Sequence, residues 1–194
     1  MISVDIDGVL NEYPNNWLHF LANRFNVNFE SIEDAKKQLT YHQYKLMKLE
    51  FRKSSYERHT PPRKRVIQSL NNLTNQSHKI VVHTSRRILE WPWYFDLTHE
   101  WLLDSGLRFD ILTLKTPDSL KSKKCLIHID DELPFLQLAT ESGFKGHLFH
   151  FSPTGDPSGQ FETISEEDIE NRISSQLAAS LDQRNLMEKP KHPA

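Results

Sequence analysis

Two aspartates end the short apolar stretch at the start of the chain, in the segment VDIDGVL at residues 4–10. Asp5 and Asp7 are separated by one residue, and Gly8 follows them. Two carboxylates this close repel each other, so their proximity costs stability unless a cation or a substrate offsets the charge. A chain that needed only a turn here would not need both acids. The segment therefore indicates a site where carboxylates act on a ligand.

Reactive residues also end three later stretches that have the apolar composition of strands. Thr84 follows IVVH, Lys115 follows FDILTL, and the pair Asp130 and Asp131 closes KCLIHIDD. In open parallel sheets, ligands bind beyond the carboxyl ends of the strands. We therefore expect four acids, one hydroxyl and one ammonium to converge at one edge of a sheet.

Such a set of groups suits phosphoryl transfer. A carboxylate that attacks a phosphate dianion is repelled by it, and Mg²⁺, which prefers oxygen ligands, can hold the two together. We expect Asp5 to attack phosphorus and form an aspartyl-phosphate, and Asp7 to protonate the leaving oxygen and then activate water. Thr84 is expected to donate a hydrogen bond to the phosphoryl oxygens. Lys115 is expected to neutralise charge that develops in the transition state.

The elements that must position these residues alternate between strands and helices over most of the chain. This alternation predicts an α/β fold, with a mostly parallel sheet covered by helices on both faces. The predicted strands are ISVDI, KIVVHT, FDILTL, KCLIHID and HLFHF, and the predicted helices between them include RKRVIQSLNNL, DLTHEWLLDS and LPFLQLATES.

A run of helical patterns interrupts this alternation after the first strand. It comprises PNNWLHFLANRF, SIEDAKKQL with a capping box at its start, and a single longer basic stretch, YHQYKLMKLEFRKSSYER. We interpret residues 13–59 as a helical cap inserted into a core of residues 1–12 and 60–151. Residues 152–194 are expected to form the loop SPTGDPSG, a helix over Ile164–Leu186 and a frayed tail, KPKHPA.

Composition limits the setting and the partners of the protein. The chain has 194 residues, a formal net charge of −2 and a single cysteine. That charge argues against a globally basic nucleic-acid binder. A lone cysteine suits a reducing compartment, and the chain shows neither a secretory signal nor an apolar run that could cross a bilayer, so we expect a cytoplasmic protein that does not bind membranes.

Charge is nevertheless unevenly distributed along the chain. Residues 41–65 contain eight Lys or Arg and only two acids, Glu50 and Glu57, whereas residues 156–188 are rich in Asp and Glu. A basic segment beside an acidic site would suit an anionic substrate that arrives with a metal ion. A solvated helix face is the simpler explanation of such a charge run.

Three of these segments resemble motifs of the haloacid dehalogenase-like (HAD) hydrolases. DIDGVL is similar to the first motif of that superfamily, IVVHTSR to the second and LIHIDDE to the acidic fourth, over roughly residues 1–151. The resemblance implies a Rossmann-like sheet, a nucleophilic Asp5 and an acid/base Asp7. It also implies Mg²⁺ held by the Asp5 carboxylate, by the backbone carbonyl of Asp7 and by Asp130, with Asp131 beside them.

The resemblance also points to a subclass. Family members that act as dehalogenases, phosphonate hydrolases or ion-pump ATPases generally lack an acid at the position of Asp7, so its presence resembles the phosphomonoesterases. A small helical cap between the first and second motifs resembles the 5′(3′)-deoxyribonucleotidase-like branch, and LEFRKSSYER looks like a segment of related bacterial proteins of this type. We therefore expect a Mg²⁺-dependent phosphomonoesterase that acts on a small phosphorylated metabolite such as a nucleoside monophosphate.

Several assignments stay open at this point. Lys121, Lys123 or Lys124 could reach the site instead of Lys115, and Ser85 could replace Thr84. Arg86 and the cap residues Arg52 and Arg58 are candidates for binding the substrate anion, although Arg86 could instead cap a turn. Aromatic and imidazole side chains are interpreted as structural, because tryptophan is more often packed than used for recognition and no zinc-site spacing accompanies the histidines: Trp91, Trp93, His83, His128, His147 and His150.

Three other functions compete with this interpretation. A 3′-phosphatase of nucleic-acid ends is possible because of the basic segment, but its charge is modest and we do not favour it. A phosphorylated signalling receiver has similar residues in a different order, with the acidic pair early. A catalytically silent binding module of the same fold would have no reason to keep both Asp5 and Asp7. Oligomeric state stays open.

Overall fold

The computed structural model describes the backbone of residues 1–187 and the side chains of residues 1–180. Its centre is a sheet of six strands, all parallel, in the order β3-β2-β1-β4-β5-β6. The strands are β1 (Ile2–Asp5), β2 (Ile80–Thr84), β3 (Ile111–Leu114), β4 (Ile127–Asp130), β5 (His147–Phe151) and β6 (Glu162–Ile164).

Helices connect the strands and cover both faces of the sheet, which confirms the predicted α/β, Rossmann-like fold class. Four helices precede the second strand within the cap: α1 (Asn15–Phe25), α2 (Ile32–Gln38), α3 (Tyr41–Lys53) and α4 (Ser55–Arg58). The others are α5 (Lys64–Asn75), α6 (Pro92–Asp104), α7 (Pro117–Ser122), α8 (Leu133–Glu141) and α9 (Ile169–Met187).

The register of the central strands explains how the site is assembled. Asp5 pairs with His83 across β1 and β2, Thr84 pairs with Leu114 across β2 and β3, and Val4 pairs with Ile129 across β1 and β4. Parallel strands aligned in this way end at the same edge of the sheet. The residues that follow them must therefore lie side by side.

Two hydrophobic clusters sandwich the sheet. The larger contains residues of β1, β2, β4 and β5 together with α5, α6 and α9, and the smaller joins Val81 to α7 and α8. Burial of these apolar side chains is the main force that holds the helices on the sheet. The cap has its own cluster, formed by Trp17, Leu21, Phe29, Ala35, Leu39, Met47 and Phe51. The domain boundaries at residues 12/13 and 59/60 stay a prediction.

The structure corrects two of the predicted elements and adds two that were not predicted, β6 and α7. The basic stretch is two helices, because Ser54 is extended and its hydroxyl accepts a hydrogen bond from the Tyr56 amide, which caps α4. The C-terminal helix begins at Ile169, not Ile164, because Glu162–Ile164 pairs with β5 and Ser165 forms a turn closed by Asp168. The predicted tail at 189–194 lies outside the described residues.

Within residues 1–187, no helix combines the length and the apolar character that a membrane span requires.

Candidate active site

Lys115 lies at the centre of an acidic cluster at the carboxyl edge of the sheet. Its Nζ is 2.8 Å from Asp5 Oδ2, 3.2 Å from Asp130 Oδ2 and 2.7 Å from Glu132 Oε2. Burial alone would lower the pKa of Lys115, but the charges of Asp5 and Asp130 outweigh it and raise the pKa well above its usual value. Lys115 therefore stays an ammonium between two buried carboxylates.

The alternative lysines lie elsewhere. Lys121 pairs with Asp118 at 2.8 Å and donates a hydrogen bond to the carbonyl of Ser142. Lys121 and Lys124 line a separate hollow beside Cys125. Among the described residues, none of Lys121, Lys123 and Lys124 forms an ion pair with Asp5 or Asp130, so Lys115 alone of the four candidates is placed at the acidic cluster.

Three carboxylates at this edge could share one cation. Oxygen atoms of Asp5, Asp130 and Asp131 all lie within 4.8 Å of one another. Asp5 Oδ1 and Asp131 Oδ1 are buried, and neither has a hydrogen-bond partner in the part of the chain that the structure describes. Burial first, and then the charge of Asp130, raises the pKa of Asp5 well above its usual range and that of Asp131 to about 7. A divalent cation held by these oxygens would favour the ionised carboxylates that burial and mutual repulsion disfavour.

His128 positions the most buried of these acids. Its Nε2 lies 3.0 Å from Asp130 Oδ2, and its Nδ1 lies 2.7 Å from the hydroxyl of Ser3. Burial favours the neutral form of Asp130, but the His128 hydrogen bond and charge, with Lys115, outweigh it and lower the pKa. Sequence reasoning took His128 as structural and missed this contact. The available signal was its spacing, because residues two apart on a strand share a face.

Gly8 allows the turn after β1 to approach Asp131 closely. Its φ is +93°, a left-handed conformation that side chains rarely adopt, and a Cβ atom placed there would lie 2.1 Å from Asp131 Oδ2. Only glycine fits both the backbone conformation and the space. The turn and the acidic pair of the fourth motif are therefore packed against each other.

The carboxylate of Asp7 is directed away from the acidic cluster. It accepts hydrogen bonds from Arg86 Nε at 3.1 Å, from Arg86 Nη2 at 2.7 Å and from Asn11 Nδ2 at 2.9 Å. Burial alone would raise the pKa of Asp7, but the Arg86 guanidinium outweighs it and holds the pKa well below its usual range. The side chain of Asp7 is not one of the three converging carboxylates. A metal contact through its backbone carbonyl stays a prediction.

Arg86 joins the core to the cap. The guanidinium is 2% exposed, and its Nη2 lies 3.4 Å from Glu57 Oε1 in α4. Glu57 also accepts a hydrogen bond from the Tyr94 hydroxyl at 2.7 Å. Sequence reasoning missed Glu57, although an acid retained within a strongly basic segment is a usable signal. Arg86, predicted to bind substrate, is thus occupied by two carboxylates in this structure.

Thr84 and Ser85 have different surroundings. Thr84 is buried, and its Oγ1 accepts a hydrogen bond from the Arg86 amide at 3.1 Å. Ser85 lines the cavity that contains Asp5 and Asp7. The structure therefore brings both hydroxyl-bearing residues to the edge of the sheet and exposes only Ser85 to the cavity.

This cavity, which we call the catalytic cavity after the expected role of Asp5, has a volume of about 220 Å³. Carboxylates and cations both line it: Asp5, Asp7, Glu57, Asp131 and Glu132, together with Lys48, Arg52 and Arg86. Arg58 does not line it and lies in a separate hollow beside Lys53 and Trp93. Glu57 points toward Arg86, and successive residues of a helix point about 100° apart, so Arg58 faces a different direction.

Lys48 is a further residue that sequence reasoning did not single out. Its Nζ donates a hydrogen bond to the Tyr13 hydroxyl at 2.8 Å and lies 4.8 Å from the centre of the Trp17 ring. It forms no ion pair with any carboxylate of the described residues. Burial lowers the pKa of Lys48 to about 8. An ammonium without a counter-ion at a cavity wall is placed to receive an anion.

Comparison with known proteins shows the fold. No family model and no curated protein matches the chain. A predicted phosphatase from Clostridium acetobutylicum is similar in structure, with a TM-score of 0.62 and 13% identity over 90% of this chain and 97% of that one. A predicted phosphoglycolate phosphatase from Lactobacillus delbrueckii subsp. bulgaricus gives a TM-score of 0.61 and 15% identity over 89% and 97%.

A HAD family hydrolase from Deinococcus radiodurans R1, whose structure holds phosphate and sodium, gives a TM-score of 0.58. It is 11% identical over 90% of this chain and 95% of that one. Identities this low show a shared fold, not a shared activity. The chain therefore has the fold of these hydrolases over nearly their whole length.

Proposed function

We propose that the protein is a Mg²⁺-dependent phosphomonoesterase that works through an aspartyl-phosphate on Asp5. One observation carries this proposal. Asp5 is buried at the wall of the catalytic cavity, and one of its oxygens is held by Lys115 at 2.8 Å. Its other oxygen has no hydrogen-bond partner among the described residues. A carboxylate that was only structural would have both oxygens satisfied.

The three converging carboxylates fit a hard divalent cation. Asp5, Asp130 and Asp131 offer oxygen ligands, and two of them have a buried oxygen without a hydrogen-bond partner among the described residues. Mg²⁺ prefers such ligands and retains part of its water shell. When bound, the ion would offset the repulsion between carboxylate and phosphate and polarise the phosphoryl group.

The proposed reaction has two steps. In the first, an Asp5 oxygen forms a bond to phosphorus, the ester P–O bond breaks, and the leaving oxygen takes a proton from Asp7. In the second, Asp7 takes a proton from water, the water oxygen attacks phosphorus, and phosphate leaves with Asp5 restored. Lys115 would stabilise the charge that develops near Asp5.

Arg86 controls whether Asp7 can donate a proton in the first of these steps. While it holds Asp7 through two hydrogen bonds, Asp7 is ionised and cannot act as an acid. A substrate phosphate that enters the cavity would compete for the same guanidinium, as the predicted role of Arg86 in substrate binding requires. Release of Asp7 from Arg86 would raise its pKa and allow it to carry the proton that the leaving group needs.

Lys48 and Arg52, two cations of the cavity lining that form no ion pair with the described residues, favour an anionic metabolite as substrate, and we propose a nucleoside monophosphate. This fits the resemblance to the deoxyribonucleotidase-like branch and the positions of Lys48 and Arg52, which place cations beyond the catalytic carboxylates. A 3′-end phosphatase is the second candidate, because Lys48 and Arg52 belong to the basic segment that could follow a nucleic-acid backbone.

The first test is phosphate release from nucleoside monophosphates, sugar phosphates and a 3′-phosphorylated oligonucleotide, with Mg²⁺ or with EDTA. We expect metal-dependent release that Asp5→Asn abolishes and that Asp118→Asn, at an exposed acid paired only with Lys121, leaves unchanged. Binding of Mg²⁺ without release from any ester would instead favour a silent binding module.

A further inference from the structure

A second cavity, which we call the basic groove, lies next to the catalytic cavity. Its volume is about 500 Å³, and it shares Lys48 and Arg52 with the catalytic cavity. Its walls contain five cations and no carboxylate. The cations are Lys36 of α2, Lys45, Lys48 and Arg52 of α3, and Arg87, which follows β2.

Four of these five cations lack a counter-ion among the described residues. Only Arg87 forms an ion pair, with Glu90 at 2.9 Å, and both partners of that pair are exposed. Like charges that converge on one cavity repel each other, and an anion in the cavity offsets that repulsion. A solvated helix face would instead point its cations apart into water.

Tyr44, Leu49 and Trp91 form the rest of the groove wall. Trp91 is half-buried, and Trp93, which stacks on it outside the groove, is 38% exposed, so neither is packed in the core as the sequence led us to expect. The guanidinium of Arg52 lies 5.7 Å from the centre of the Trp91 ring, and that of Arg87 lies 5.8 Å from it. Guanidinium groups that lie against an indole are held in place while they stay charged.

We propose that the basic groove binds a second phosphate of the substrate, so that the preferred substrate is a nucleotide with two phosphates. This rests on the proposed phosphomonoesterase function. One phosphate would be cleaved at Asp5, and the other would be held by Lys36 and Lys45. Trp91, which is stacked on Trp93, and Tyr44 also line the groove, and a base that packs against either ring would gain an interaction that tolerates any base. A free nucleoside bisphosphate and the phosphorylated 3′ end of a single strand share this chemistry.

The test compares two doubly substituted variants that carry the same change of charge. Lys36→Gln/Lys45→Gln removes two cations of the groove that do not line the catalytic cavity. Lys37→Gln/Lys53→Gln removes two exposed cations from the same helices, α2 and α3, neither of which lines the groove. Substrates are deoxyadenosine 3′-monophosphate, 5′-monophosphate and 3′,5′-bisphosphate, and a 3′-phosphorylated trinucleotide.

We expect the wild type to prefer the bisphosphate to the corresponding monophosphate. The groove variant should lose about tenfold in kcat/KM for the bisphosphate, through KM, because each exposed charge contact is worth roughly a factor of two to five. The kcat/KM of the groove variant for the monophosphate should stay within about twofold of the wild-type value, because no contact to that substrate is removed. The control variant should stay within about twofold of the wild type on both substrates. Equal losses on both substrates, or no preference in the wild type, would overturn the proposal.

Calorimetric binding of the bisphosphate and the monophosphate to Asp5→Asn separates this proposal from the proposed activity. Tighter binding of the bisphosphate that the groove variant abolishes would support the groove even if the wild type cleaves no ester. If the enzyme cleaves esters but the second phosphate does not increase affinity, the proposed activity is supported and phosphate binding in the groove is contradicted. If the trinucleotide binds more tightly than the bisphosphate, the natural ligand is a strand end. If the two bind equally, the second phosphate of a free nucleotide accounts for the affinity.

Discussion

The guanidinium of Arg86 donates hydrogen bonds to both carboxylate oxygens of Asp7, at 3.1 Å and 2.7 Å. Paired hydrogen bonds between two charged groups are among the strongest that side chains make. The same guanidinium lies 3.4 Å from Glu57 of the cap. The ionisation of the proposed acid/base residue therefore depends on an arginine whose second partner belongs to the cap.

Removal of Arg86 should be strongly destabilising. Arg86→Ala leaves two carboxylates without their counter-ion, one of them buried, and we expect a loss of about 3 kcal/mol or more in the free energy of unfolding. Arg86→Lys keeps the charge but not the paired geometry and should lose less. Urea unfolding measures both. Arg87→Ala, at the exposed neighbour, should change stability by less than about 1 kcal/mol, and a comparable loss there would contradict the assignment.

The charged ammonium of Lys48 should lower the free energy of unfolding at neutral pH. Its pKa is about 8 in the folded protein against 10.5 for an unperturbed lysine, so the folded state disfavours the charge. This cost is complete below pH 8 and disappears as the pH rises to 10.5. We expect Lys48→Met to raise the free energy of unfolding by about 2 kcal/mol at pH 7 and to weaken substrate binding.

Urea unfolding of the wild type and Lys48→Met at pH 7 and pH 10 tests this expectation, since the gain should shrink at the higher pH. Lys45→Met, at an exposed lysine of the same helix, serves as the control and should show no gain that depends on pH in this way. A gain for Lys48→Met that is equal at both pH values would mean that the ammonium is not the source of the cost.

The Asp131 carboxyl group should destabilise the folded protein at pH 7 in EDTA and stabilise it when Mg²⁺ is added. Its folded pKa of about 7 exceeds the reference value of 3.8, so in EDTA the wild type should lose stability as the pH rises between these values. Asp131→Asn should then be more stable than the wild type at pH 7, by about 1 kcal/mol or more, and nearly equal to it at pH 4. With Mg²⁺ the order at pH 7 should reverse, because a ligand of the folded state stabilises it.

Thermal unfolding in EDTA and in Mg²⁺ at the two pH values provides the measurement. Asp118→Asn, at an exposed acid remote from the cluster, is the control and should respond to Mg²⁺ as the wild type does. If Mg²⁺ does not raise the melting temperature of the wild type at pH 7, the proposed metal site of Asp5, Asp130 and Asp131 is ruled out.

Substitution of Gly8 should reveal its contact with Asp131. We expect Gly8→Ala to cost about 2 kcal/mol or more, because a positive φ is strained for alanine and the new Cβ overlaps the Asp131 carboxylate. In an Asp131→Ala background the overlap is reduced and only the backbone strain should remain. A double-mutant cycle in urea measures the difference, and additive effects would show that the two residues do not interact.

Those features that depend on local pattern could be predicted from the sequence. The five longer strands, and the polar residues at the ends of four of them, follow from apolar runs and their boundaries. Lys115 is the favoured lysine because it directly follows a predicted strand. By contrast, β6 has three residues, and no periodicity can be read from so short a run.

The roles of Glu57 and Lys48 could not be predicted in the same way. Both lie in a basic stretch whose helical pattern is satisfied by several orientations, and their neighbours come from residues far away in the chain. Glu57 gains its partners from Arg86 and Tyr94, and these contacts exist only once the cap is packed on the core. Hydrophobic periodicity specifies which face of a helix is buried but not which distant polar group it meets.

The central position of β1 has a consequence for how the chain folds. Ile2 pairs with both Ile80 and Ile127, so the strand that carries Asp5 has no hydrogen-bonded neighbour in the sheet until residues about 80 and 125 positions later are available. Closing loops of this length costs entropy before any strand contact is gained, which makes folding slow. During synthesis, β1 must therefore remain unpaired as an apolar segment while the whole cap is made, and the acidic cluster can assemble only after β4 has joined the sheet.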